Sequence, residues 1–407
     1  MSVTAEAGTS NDRDAGRVLC MEKTPHMDHV KPHLCFVAHW AYGAVTGGGG
    51  HIGGIETQTA LMARSCAARG YPVSVITWDE GQDDGREIDG VRMFKMCRPS
   101  AGLPGLRFCW PRWSSLNAAM RRADADIYYY NCGDLGLGQV VMWCRRNARK
   151  SVYSVANDPD CDPRLPKLTP LRERVLFQHG LRHVDAIIVQ TQRQQQMLRD
   201  GFAIESTVIQ MPCAGFHNGA YAPPEAPVPK PTRVLWVGRI SREKRLEWLL
   251  DIAEKCPEIV FEVVGAANTD CEYASRVANR ASGIANVKMH GRIPHCEMGK
   301  YYRRSHILCC TSAYEGFPNT FVEAWSCAIP VVATVDPDNV IAKYNVGWTA
   351  SSVNECVECL KSVRGSCERW RAASYAAWSY YAANHTIAAT MGKFERMFLD
   401  IMGHRVP

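Results

Sequence analysis

Two glutamates, Glu315 and Glu323, are separated by seven residues in the segment TSAYEGFPNTFVEAWSCAIPVV, residues 311–332. Glu315 follows an apolar run that is typical of a buried strand. Asn319 or Thr320 can begin a helix, and Glu323 would then lie on its first turns. Both carboxylates would lie near one helix N-terminus, where they can accept hydrogen bonds from the hydroxyl groups of a ligand. Taken singly, Glu323 could instead only complement the helix dipole while Glu315 faces water.

Two cations, Arg239 and Lys244, lie in the segment VGRISREKRLEWLL. A strand is predicted to end at Gly238, and a helix is predicted to begin near Glu243 or Lys244. The two side chains would then lie at the strand exit and the helix entrance, where they can neutralise a diphosphate. Charges beside a loop are commonly only solvated, but that interpretation does not explain why two cations accompany two carboxylates.

A glycine-rich loop begins the segment GGGGHIGGIETQTALMARSC, residues 47–66, between the first predicted strand and the first predicted helix. Its six glycines allow backbone amides to approach a ligand closely, and the helix that follows offers its N-terminal dipole to an anion. The loop is therefore a candidate phosphate cradle, and a loop that binds nothing is the alternative. It lacks the G-x-G-x-x-G pattern of dinucleotide-binding loops.

The elements that must position these residues follow from the alternation of short apolar runs with helical patterns, which starts at Pro32. The alternation stops between Met211 and Arg233, where six prolines and no apolar periodicity indicate a linker. It then resumes, so the sequence predicts two Rossmann-like α/β domains. The predicted parts are a flexible tail (1–30), a first Rossmann-like domain (31–210), a proline-rich linker (211–232), a second Rossmann-like domain (233–383) and a C-terminal helix that returns to the first domain (384–407).

Two doubly wound domains of this kind bring the carboxyl ends of both parallel sheets to one cleft, where such folds bind ligands. The cations, Glu315 and the glycine loop all follow predicted strands. We therefore expect them to line that cleft together.

The 407-residue chain has 46% hydrophobic and 22% charged residues, which is typical of a soluble globular protein. Its formal net charge of +6 is too small to indicate a nucleic-acid-binding protein, but it suits an anionic small ligand or an acidic membrane face. The 18 cysteines have no repeated spacing and are interpreted as mostly reduced thiols, with no role assigned to them.

No run of eighteen apolar residues occurs in the sequence, and the first thirty residues lack a secretory apolar region. We therefore expect a cytoplasmic protein, and peripheral contact with the inner face of the membrane is an alternative. The basic stretch RERVLFQHGLR, residues 172–182, could touch anionic lipid or form an ordinary solvated helix face.

Taken together, these segments resemble the retaining GT-B glycosyltransferases of family four, which use nucleotide-diphosphate sugars. The resemblance runs from about residue 32 to residue 385, and its most specific part is EGFPNTFVE, the E-x7-E signature. GRISREK, HGRIPHCEM and GGIETQ support it. The resemblance implies a GT-B fold in which the first domain binds the acceptor and the second binds the donor nucleotide.

The resemblance also implies roles for individual residues. Arg239 and Lys244 would hold the donor diphosphate and stabilise it as the leaving group. The other implied donor-site residues are Glu315 for the hydroxyls of the transferred sugar, Glu323 for the ribose, Arg292 against the nucleobase, Gly316, Phe317 and Pro318 with Asn319 and Thr320 along the donor pocket, and Gly53 and Gly54 from the first domain.

No cofactor and no metal ion are expected, because fixed cations and helix dipoles can stabilise the charge that builds on a departing diphosphate. The two DPD segments, residues 158–160 and 336–338, are interpreted as turns built around proline.

The acceptor-side catalytic residue stays open. Members of the family often place a histidine or carboxylate at the end of a middle strand of the first domain. The candidates in this sequence are Asn131 and Asp134, then Asn157, Asp158, Asp160 and Asp162, and finally His39 at the end of the first strand, where a packed histidine is the alternative.

The resulting hypothesis is an enzyme that transfers a hexosyl group, with retention, from a UDP- or GDP-linked sugar to a saccharide or lipid-linked saccharide. Surface polysaccharide or glycoconjugate biosynthesis is the expected setting. The alternatives are a non-catalytic nucleotide-sugar-binding protein and a nucleotide-sugar 2-epimerase. The sugar, the base, the acceptor and the oligomeric state stay open, and no nucleic-acid partner is expected.

Overall fold

The computed structural model describes residues 31–47, 53–216, 221–224, 232–267 and 271–403. The predicted N-terminal tail, residues 48–52 of the glycine loop and half of the predicted linker lie outside the described residues. From Pro32 onward the chain forms one compact unit that contains two parallel-sheet domains.

The first domain is built on a sheet in which eight strands are described, in the order β3-β4-β2-β1-β5-β6-β7-β8. Every pairing is parallel except that of β3 with β4. The strands are β1 (Leu34–Val37), β2 (Val73–Thr77), β3 (Arg86–Ile88), β4 (Val91–Lys95), β5 (Ile127–Tyr130), β6 (Lys150–Ser154), β7 (Ala186–Val189) and β8 (Thr207–Val208).

The helices of the first domain cover both faces of this sheet, as a parallel sheet that is buried on both sides requires. They are α1 (Tyr42–Thr46), α2 (Gly54–Ala68), α3 (Ser114–Ala123), α4 (Gly136–Arg146), α5 (Leu171–His183) and α6 (Gln192–Phe202). A π-helical turn, Phe108–Trp113, precedes α3, and a 3-10 turn, Asp158–Cys161, follows β6.

The second domain is built on an all-parallel sheet in which six strands are described, in the order β11-β10-β9-β12-β13-β14. The strands are β9 (Arg233–Val237), β10 (Val260–Val264), β11 (Val287–Met289), β12 (Ile307–Cys310), β13 (Val331–Ala333) and β14 (Gly347–Thr349). The helices are α7 (Leu246–Lys255), α8 (Cys271–Ser282), α9 (Gly299–Arg303), α10 (Asn319–Ser326), α11 (Val340–Tyr344), α12 (Val353–Arg364), α13 (Cys367–Asn384) and α14 (Ile387–Ile401).

Two parallel α/β domains are what the apolar runs predicted, and this part of the prediction is confirmed. Both DPD segments form short 3-10 turns, as expected of proline-centred turns. The prediction that a helix begins near Glu243 or Lys244 is wrong, because α7 begins at Leu246. Arg245 has a left-handed backbone (φ +47°) and its guanidinium donates to the carbonyls of Thr311 (2.7 Å) and Ser312 (2.8 Å), which separates a 3-10 turn from α7.

The chain returns to the first domain at its C-terminal end. Helix α13 packs on the second sheet, whereas α14 inserts Met391, Phe394 and Phe398 into the core beneath β1 and β2. His385 lies buried at the break between these helices, where its Nδ1 bonds the Met211 carbonyl (3.0 Å) and burial lowers its pKa to about 4.

The cysteines whose side chains are described are unpaired, and most of them lie inside the cores. No helix within the described ranges is both long and apolar enough to cross a bilayer. Those ranges also contain no group of three or more histidine, cysteine or acidic side chains that could hold a metal ion.

Candidate active site

A cavity of about 900 Å³ lies where the carboxyl ends of the two sheets face each other. Its walls include residues that follow β5, β6 and β7 of the first domain and β9 and β10 of the second. Every donor-side residue predicted from the sequence lines this cavity: Arg239, Lys244, Glu315, Gly53, Gly54, Arg292, Gly316, Phe317, Pro318, Asn319, Thr320 and Glu323.

Lys244 and Glu315 form an ion pair in the wall of the cavity. The ammonium donates to Glu315 Oε1, and the Ser312 hydroxyl donates to the same oxygen at 2.6 Å. The Thr311 hydroxyl donates to the Lys244 carbonyl at 2.7 Å, so the loop after β12 also holds the backbone of the 3-10 turn. The positive charge of Lys244 is therefore fixed in position by its neighbours, and an ammonium has three N–H donors in all.

Arg239 lies at the exit of β9 with 59% of its side chain exposed. Its guanidinium contacts Glu243, whose side chain is 28% exposed, at a distance of 3.4 Å, which is long for a hydrogen bond. A guanidinium carries five N–H donors in a planar fork that matches phosphate geometry. Arg239 can therefore bind an anion without losing a buried contact.

The N-terminus of α10 points at the cavity, and no side chain caps its first turn. A helix begins at Asn319, as predicted, and its first amides are available to an anion. Gly316 lies just before it against the first domain: a Cβ on Gly316 would come within 2.8 Å of the Ala156 carbonyl oxygen. Only glycine fits this close approach between the domains.

Helix α2 approaches the cavity from the opposite side. The Gly53 amide, which was expected to face a diphosphate, already donates to Glu56 Oε2 at 2.9 Å. The Gly54 carbonyl accepts a hydrogen bond from Asn319 Nδ2 at 3.3 Å, which joins the starts of α2 and α10. At Gly53 the predicted phosphate cradle is therefore already occupied by the Glu56 carboxylate. Residues 48–52 of the loop lie outside the described residues.

Glu323 lies on the first turns of α10 and is buried in the wall of the cavity. Its Oε1 bonds His295 Nε2 at 2.9 Å, and its Oε2 accepts from the Tyr302 hydroxyl at 2.6 Å. The hydrogen bond to Glu323 raises the pKa of His295, since it favours the charged imidazolium. Each carboxylate oxygen retains a lone pair for a further donor.

No pattern in the sequence indicates that His295 and Tyr302 are the partners of Glu323. His295 belongs to the HGRIPHCEM segment, but nothing in its spacing places it against a glutamate 28 positions later. Tyr302 sits in α9 within an apolar pattern that predicts only a core residue. Glu56 lies three residues after Gly53, which is the spacing of a helix capping box, and that signal could have identified it.

The acceptor-side candidates separate into two groups. Asn131, at the end of β5, lines the cavity and donates to the Thr59 hydroxyl at 2.9 Å. Asn157, after β6, also lines the cavity, whereas Asp134 does not and instead accepts from the Gly136 amide at 2.7 Å.

The three remaining carboxylates are engaged elsewhere. Asp158 accepts from Gln194 Nε2 at 3.1 Å, and Asp162 bonds the Arg164 guanidinium. Asp160 is buried, accepts from the Asn157 amide at 3.2 Å, and has its pKa raised to about 6 by burial. None of the three lines the cavity.

His39 also lies away from the cavity wall. Its ring stacks on Trp78 with the ring centroids 4.8 Å apart, and burial lowers its pKa. The structure therefore agrees with the packed-histidine alternative.

Two family models match the chain, one in each domain. Residues 53–214 match the description "Glycosyl transferase 4-like domain", and residues 231–362 match "Glycosyl transferases group 1". Among curated proteins, the amylovoran biosynthesis glycosyltransferase AmsD of Erwinia amylovora is 26% identical over 168 residues, 40% of this chain and 46% of that protein. The GtfA subunit of a UDP-N-acetylglucosamine–peptide N-acetylglucosaminyltransferase from Streptococcus pneumoniae is 24% identical over 157 residues, 37% of this chain and 30% of that protein. The chain thus spans less than half the length of these relatives.

Several solved structures cover nearly the whole chain. Sucrose-phosphate synthase from Thermosynechococcus elongatus has a TM-score of 0.71 at 17% identity, over 91% of this chain and 100% of that one. HepE from Anabaena, solved with UDP and glucose, has a TM-score of 0.71 at 15% identity, over 93% of this chain and 100% of that one. At such identities the likeness shows the fold, which is GT-B. The chain therefore consists of a glycosyl transferase 4-like domain, matched over residues 53–214, and a domain of the group 1 glycosyltransferases, matched over residues 231–362.

Proposed function

We propose that this protein transfers a hexosyl group, with retention of anomeric configuration, from a nucleotide-diphosphate sugar to a saccharide or lipid-linked saccharide. The observation that carries the proposal is the meeting of Arg239, Lys244, Glu315 and the uncapped start of α10 in one cavity. Cations and a helix N-terminus suit a diphosphate, and a carboxylate suits sugar hydroxyls.

The chemistry follows from where charge develops. Cleavage of the sugar–phosphate bond builds negative charge on the departing diphosphate, and fixed positive groups stabilise that charge without having to reorganise. Lys244 is held by Glu315 and retains two N–H donors for phosphate oxygens. The guanidinium of Arg239 supplies further N–H donors from the residue that follows β9, before the 3-10 turn that contains Lys244. The proposal requires no metal ion and no cofactor.

The sugar and acceptor sides are assigned in the same way. We place Glu315 on hydroxyls of the transferred sugar, Glu323 on the ribose and Arg292 beside the base. Asn131 and Asn157 are the acceptor-side candidates that the geometry supports, because both line the cavity at the ends of adjacent strands. A carboxamide there can orient an acceptor hydroxyl but cannot take its proton, so the proton passes to the departing diphosphate as the new glycosidic bond forms.

The relatives favour a UDP-linked donor over a GDP-linked one. The HepE structures contain UDP with glucose or UDP-glucose, and the GtfA relative is described as a UDP-N-acetylglucosamine-dependent transferase. The AmsD relative is described by amylovoran biosynthesis, which supports a role in surface polysaccharide or glycoconjugate assembly. We place that role in the cytoplasm.

The test begins with a thermal-shift screen of nucleotide sugars, because a ligand stabilises the state that it binds. Once the donor and acceptor have been identified, Arg239→Ala and Lys244→Ala should each lower turnover at least about a hundredfold. The melting temperature of the free protein should stay nearly unchanged in both variants. Lys255→Ala is the matched control, since Lys255 lies on the exposed side of α7 and bonds Asn354 instead.

Three outcomes would contradict the proposal. Wild-type turnover in both variants would show that neither Arg239 nor Lys244 takes part in the reaction. Binding of donor without any release of nucleoside diphosphate would indicate a sensor, and conversion of donor without an acceptor would indicate an epimerase.

A further inference from the structure

Glu56 lies on the first turn of α2 and lines the cavity, yet it has no part in the donor site. Within the described residues, three carboxylates line the cavity. Two of them, Glu315 and Glu323, belong to the second domain, and each bonds two side chains of that domain. Glu56 is the third, and it is the one carboxylate that the described part of the first domain contributes to the cavity wall.

The carboxylate of Glu56 is held in place by the backbone of its own helix. Its Oε2 accepts from the Gly53 amide at 2.9 Å, and a Cβ on Gly53 would lie only 2.6 Å from that oxygen. Among the described residues, no other group donates a hydrogen bond to this carboxylate. A carboxylate can accept about four hydrogen bonds. Glu56 therefore has a fixed position and retains sites that can accept from a ligand.

Glu56 neighbours the two acceptor-side candidates. Asn131, at the end of β5, donates to the hydroxyl of Thr59, which lies three residues after Glu56 and so on the same side of α2. Asn157 follows β6, the strand that pairs with β5. Burial raises the pKa of the Cys132 thiol, which follows Asn131, and the negative charge of Glu56 adds to the rise. The carboxylate and the two carboxamides thus belong to one part of the wall.

The first-domain wall presents mainly hydrogen-bond acceptors to the cavity. Two further carboxamides in it turn an N–H toward the backbone: Gln58 donates to the Pro212 carbonyl at 3.2 Å, and Gln190 donates to the Val155 carbonyl at 3.1 Å. In the described ranges no lysine or arginine of the first domain lines the cavity. The second domain contributes three such cations, Arg239, Lys244 and Arg292. A diphosphate is therefore attracted to the second wall, whereas the first wall suits a ligand rich in hydroxyl donors.

We propose that Glu56 binds a hydroxyl group of the acceptor saccharide, next to the hydroxyl that attacks the donor, and so determines which acceptor hydroxyl reacts. This role rests on the proposed transferase activity. A charged carboxylate accepts hydroxyl hydrogen bonds more strongly than a carboxamide does. Because Glu56 holds a neighbouring hydroxyl, the reacting hydroxyl keeps its own proton for the departing diphosphate.

A purely structural role for Glu56 predicts a different result. As a capping residue Glu56 satisfies the Gly53 amide, and a glutamine at the same position of a capping box does so too. Glu56→Gln therefore keeps the cap of α2, while it removes the negative charge and replaces one acceptor oxygen by an N–H donor. An unchanged melting temperature would show that the cap is kept.

The test measures UDP release with UDP-glucose and UDP-N-acetylglucosamine as donors and a panel of para-nitrophenyl hexosides as acceptors. For Glu56→Gln we expect the acceptor KM to rise at least about tenfold, as for a lost hydrogen bond to a charged group, with a smaller change in kcat. The affinity for UDP should stay unchanged or rise, because a negative charge leaves the cavity.

Monodeoxy versions of the best acceptor identify the hydroxyl that Glu56 binds. In the wild-type enzyme, removal of that hydroxyl should raise the acceptor KM about tenfold. In Glu56→Gln the same removal should have little further effect, since the contact is already lost.

Glu173→Gln is the matched control. Glu173 is also an acidic residue in the first turn of a first-domain helix, α5, but it does not line the cavity. This variant should keep the wild-type acceptor KM.

The role of Glu56 is overturned if Glu56→Gln keeps the wild-type acceptor KM, or if every monodeoxy acceptor loses as much with the variant as with the wild type. A loss of UDP affinity at unchanged acceptor KM would also overturn it, because Glu56 would then bind the donor. If the wild-type protein transfers to none of the acceptors, the proposed transferase activity is itself contradicted, and the role of Glu56 with it.

Discussion

Lys244 and Glu315 act as one polar unit, because the ammonium and the Ser312 hydroxyl bond the same carboxylate oxygen. Glu323 belongs to a separate unit, in which His295 and Tyr302 hold both of its oxygens. The first unit lies at the loop after β12 and the second lies on α10. Changes at the two glutamates should therefore have different effects on ligand binding.

Replacing Glu315 by Ala should leave the affinity for the nucleoside diphosphate alone unchanged or higher, because Lys244 loses its competing carboxylate. Discrimination between donor sugars should weaken instead. Replacing Glu323 by Ala should lower affinity for the nucleoside diphosphate about tenfold, as expected for the loss of hydrogen bonds to ribose hydroxyls. Isothermal titration calorimetry with the nucleoside diphosphate measures both effects.

The control for Glu323 is Tyr302→Phe, which removes one partner of the carboxylate and leaves the charge in place. It should reproduce only part of the loss seen in Glu323→Ala. Equal effects of Glu315→Ala and Glu323→Ala on nucleoside diphosphate affinity would contradict the separate roles.

Residue types and spacing were sufficient to predict that Arg239, Lys244 and Glu315 line one cavity, because they follow strands whose ends must meet at one cleft. They were not sufficient for His295, whose contact with Glu323 depends on how the turn before α9 packs against α10. They also left the acceptor side open. Only packing separates Asn131 and Asn157, which line the cavity, from Asp158 and Asp160, which bond their own surroundings.

At the scale of elements, strands were predictable where both sheet faces are buried, since their sequences are continuous apolar runs. The β3–β4 hairpin was missed because β3 carries exposed Arg86 and Glu87, although its Asp89-Gly90 turn is a recognised hairpin signal. The start of α7 was misplaced because Arg245 is fixed by carbonyls of a distant loop. Contacts between distant segments cannot be detected from the periodicity of apolar residues in the local sequence.

Helices α4 and α5 cross at two glycines. A Cβ on Gly180 would lie 2.8 Å from the backbone nitrogen of Gly138, and a Cβ on Gly138 would lie 2.2 Å from the Leu176 carbonyl oxygen. Gly180→Ala should therefore lower the free energy of unfolding by about 1–3 kcal/mol, as overpacking does. Chemical denaturation followed by circular dichroism measures the change.

Gly392→Ala is the matched control for that helix crossing. Gly392 lies on α14 with nothing within 4 Å of an added Cβ, so alanine there should raise stability by about 0.5–1 kcal/mol through helix propensity. Opposite signs for the two substitutions would confirm that the α4–α5 contact is steric. If Gly180→Ala is also neutral or stabilising, the two helices can separate more easily than their packing indicates.

At the scale of the whole molecule, the two domains touch around the cavity through backbone and side-chain contacts. Asn319 bonds the Gly54 carbonyl, and Gly316 packs against Ala156. A third contact joins the second domain to α6. A donor that touches both walls binds more tightly when such contacts already hold the walls together, because less of its binding free energy goes into closing the cleft.

Asp338 makes the third contact, and its removal should weaken donor binding through domain closure. Its Oδ2 and Oδ1 accept from the amides of Gln192 (2.6 Å) and Arg193 (3.0 Å) at the N-terminus of α6. A carboxylate at a helix N-terminus contributes about 0.5–2 kcal/mol. Asp338→Ala should therefore raise the donor KM by about two- to thirtyfold, with little change in kcat, and small-angle scattering should show a larger radius of gyration.

Asp336→Ala tests whether the lost contact or the lost charge is responsible. Asp336 lies in the same DPD segment, but its carboxylate accepts from the amides of Ile341 (2.7 Å) and Ala342 (3.1 Å) and so caps α11 within the second domain. Its removal should lower the melting temperature without raising the donor KM or the radius of gyration. Equal increases in KM for both variants would indicate a general electrostatic effect. If Asp338→Ala leaves both KM and the radius of gyration unchanged, the contact with α6 does not hold the cleft closed, and other contacts between the domains, such as those of Asn319 and Gly316, do so instead.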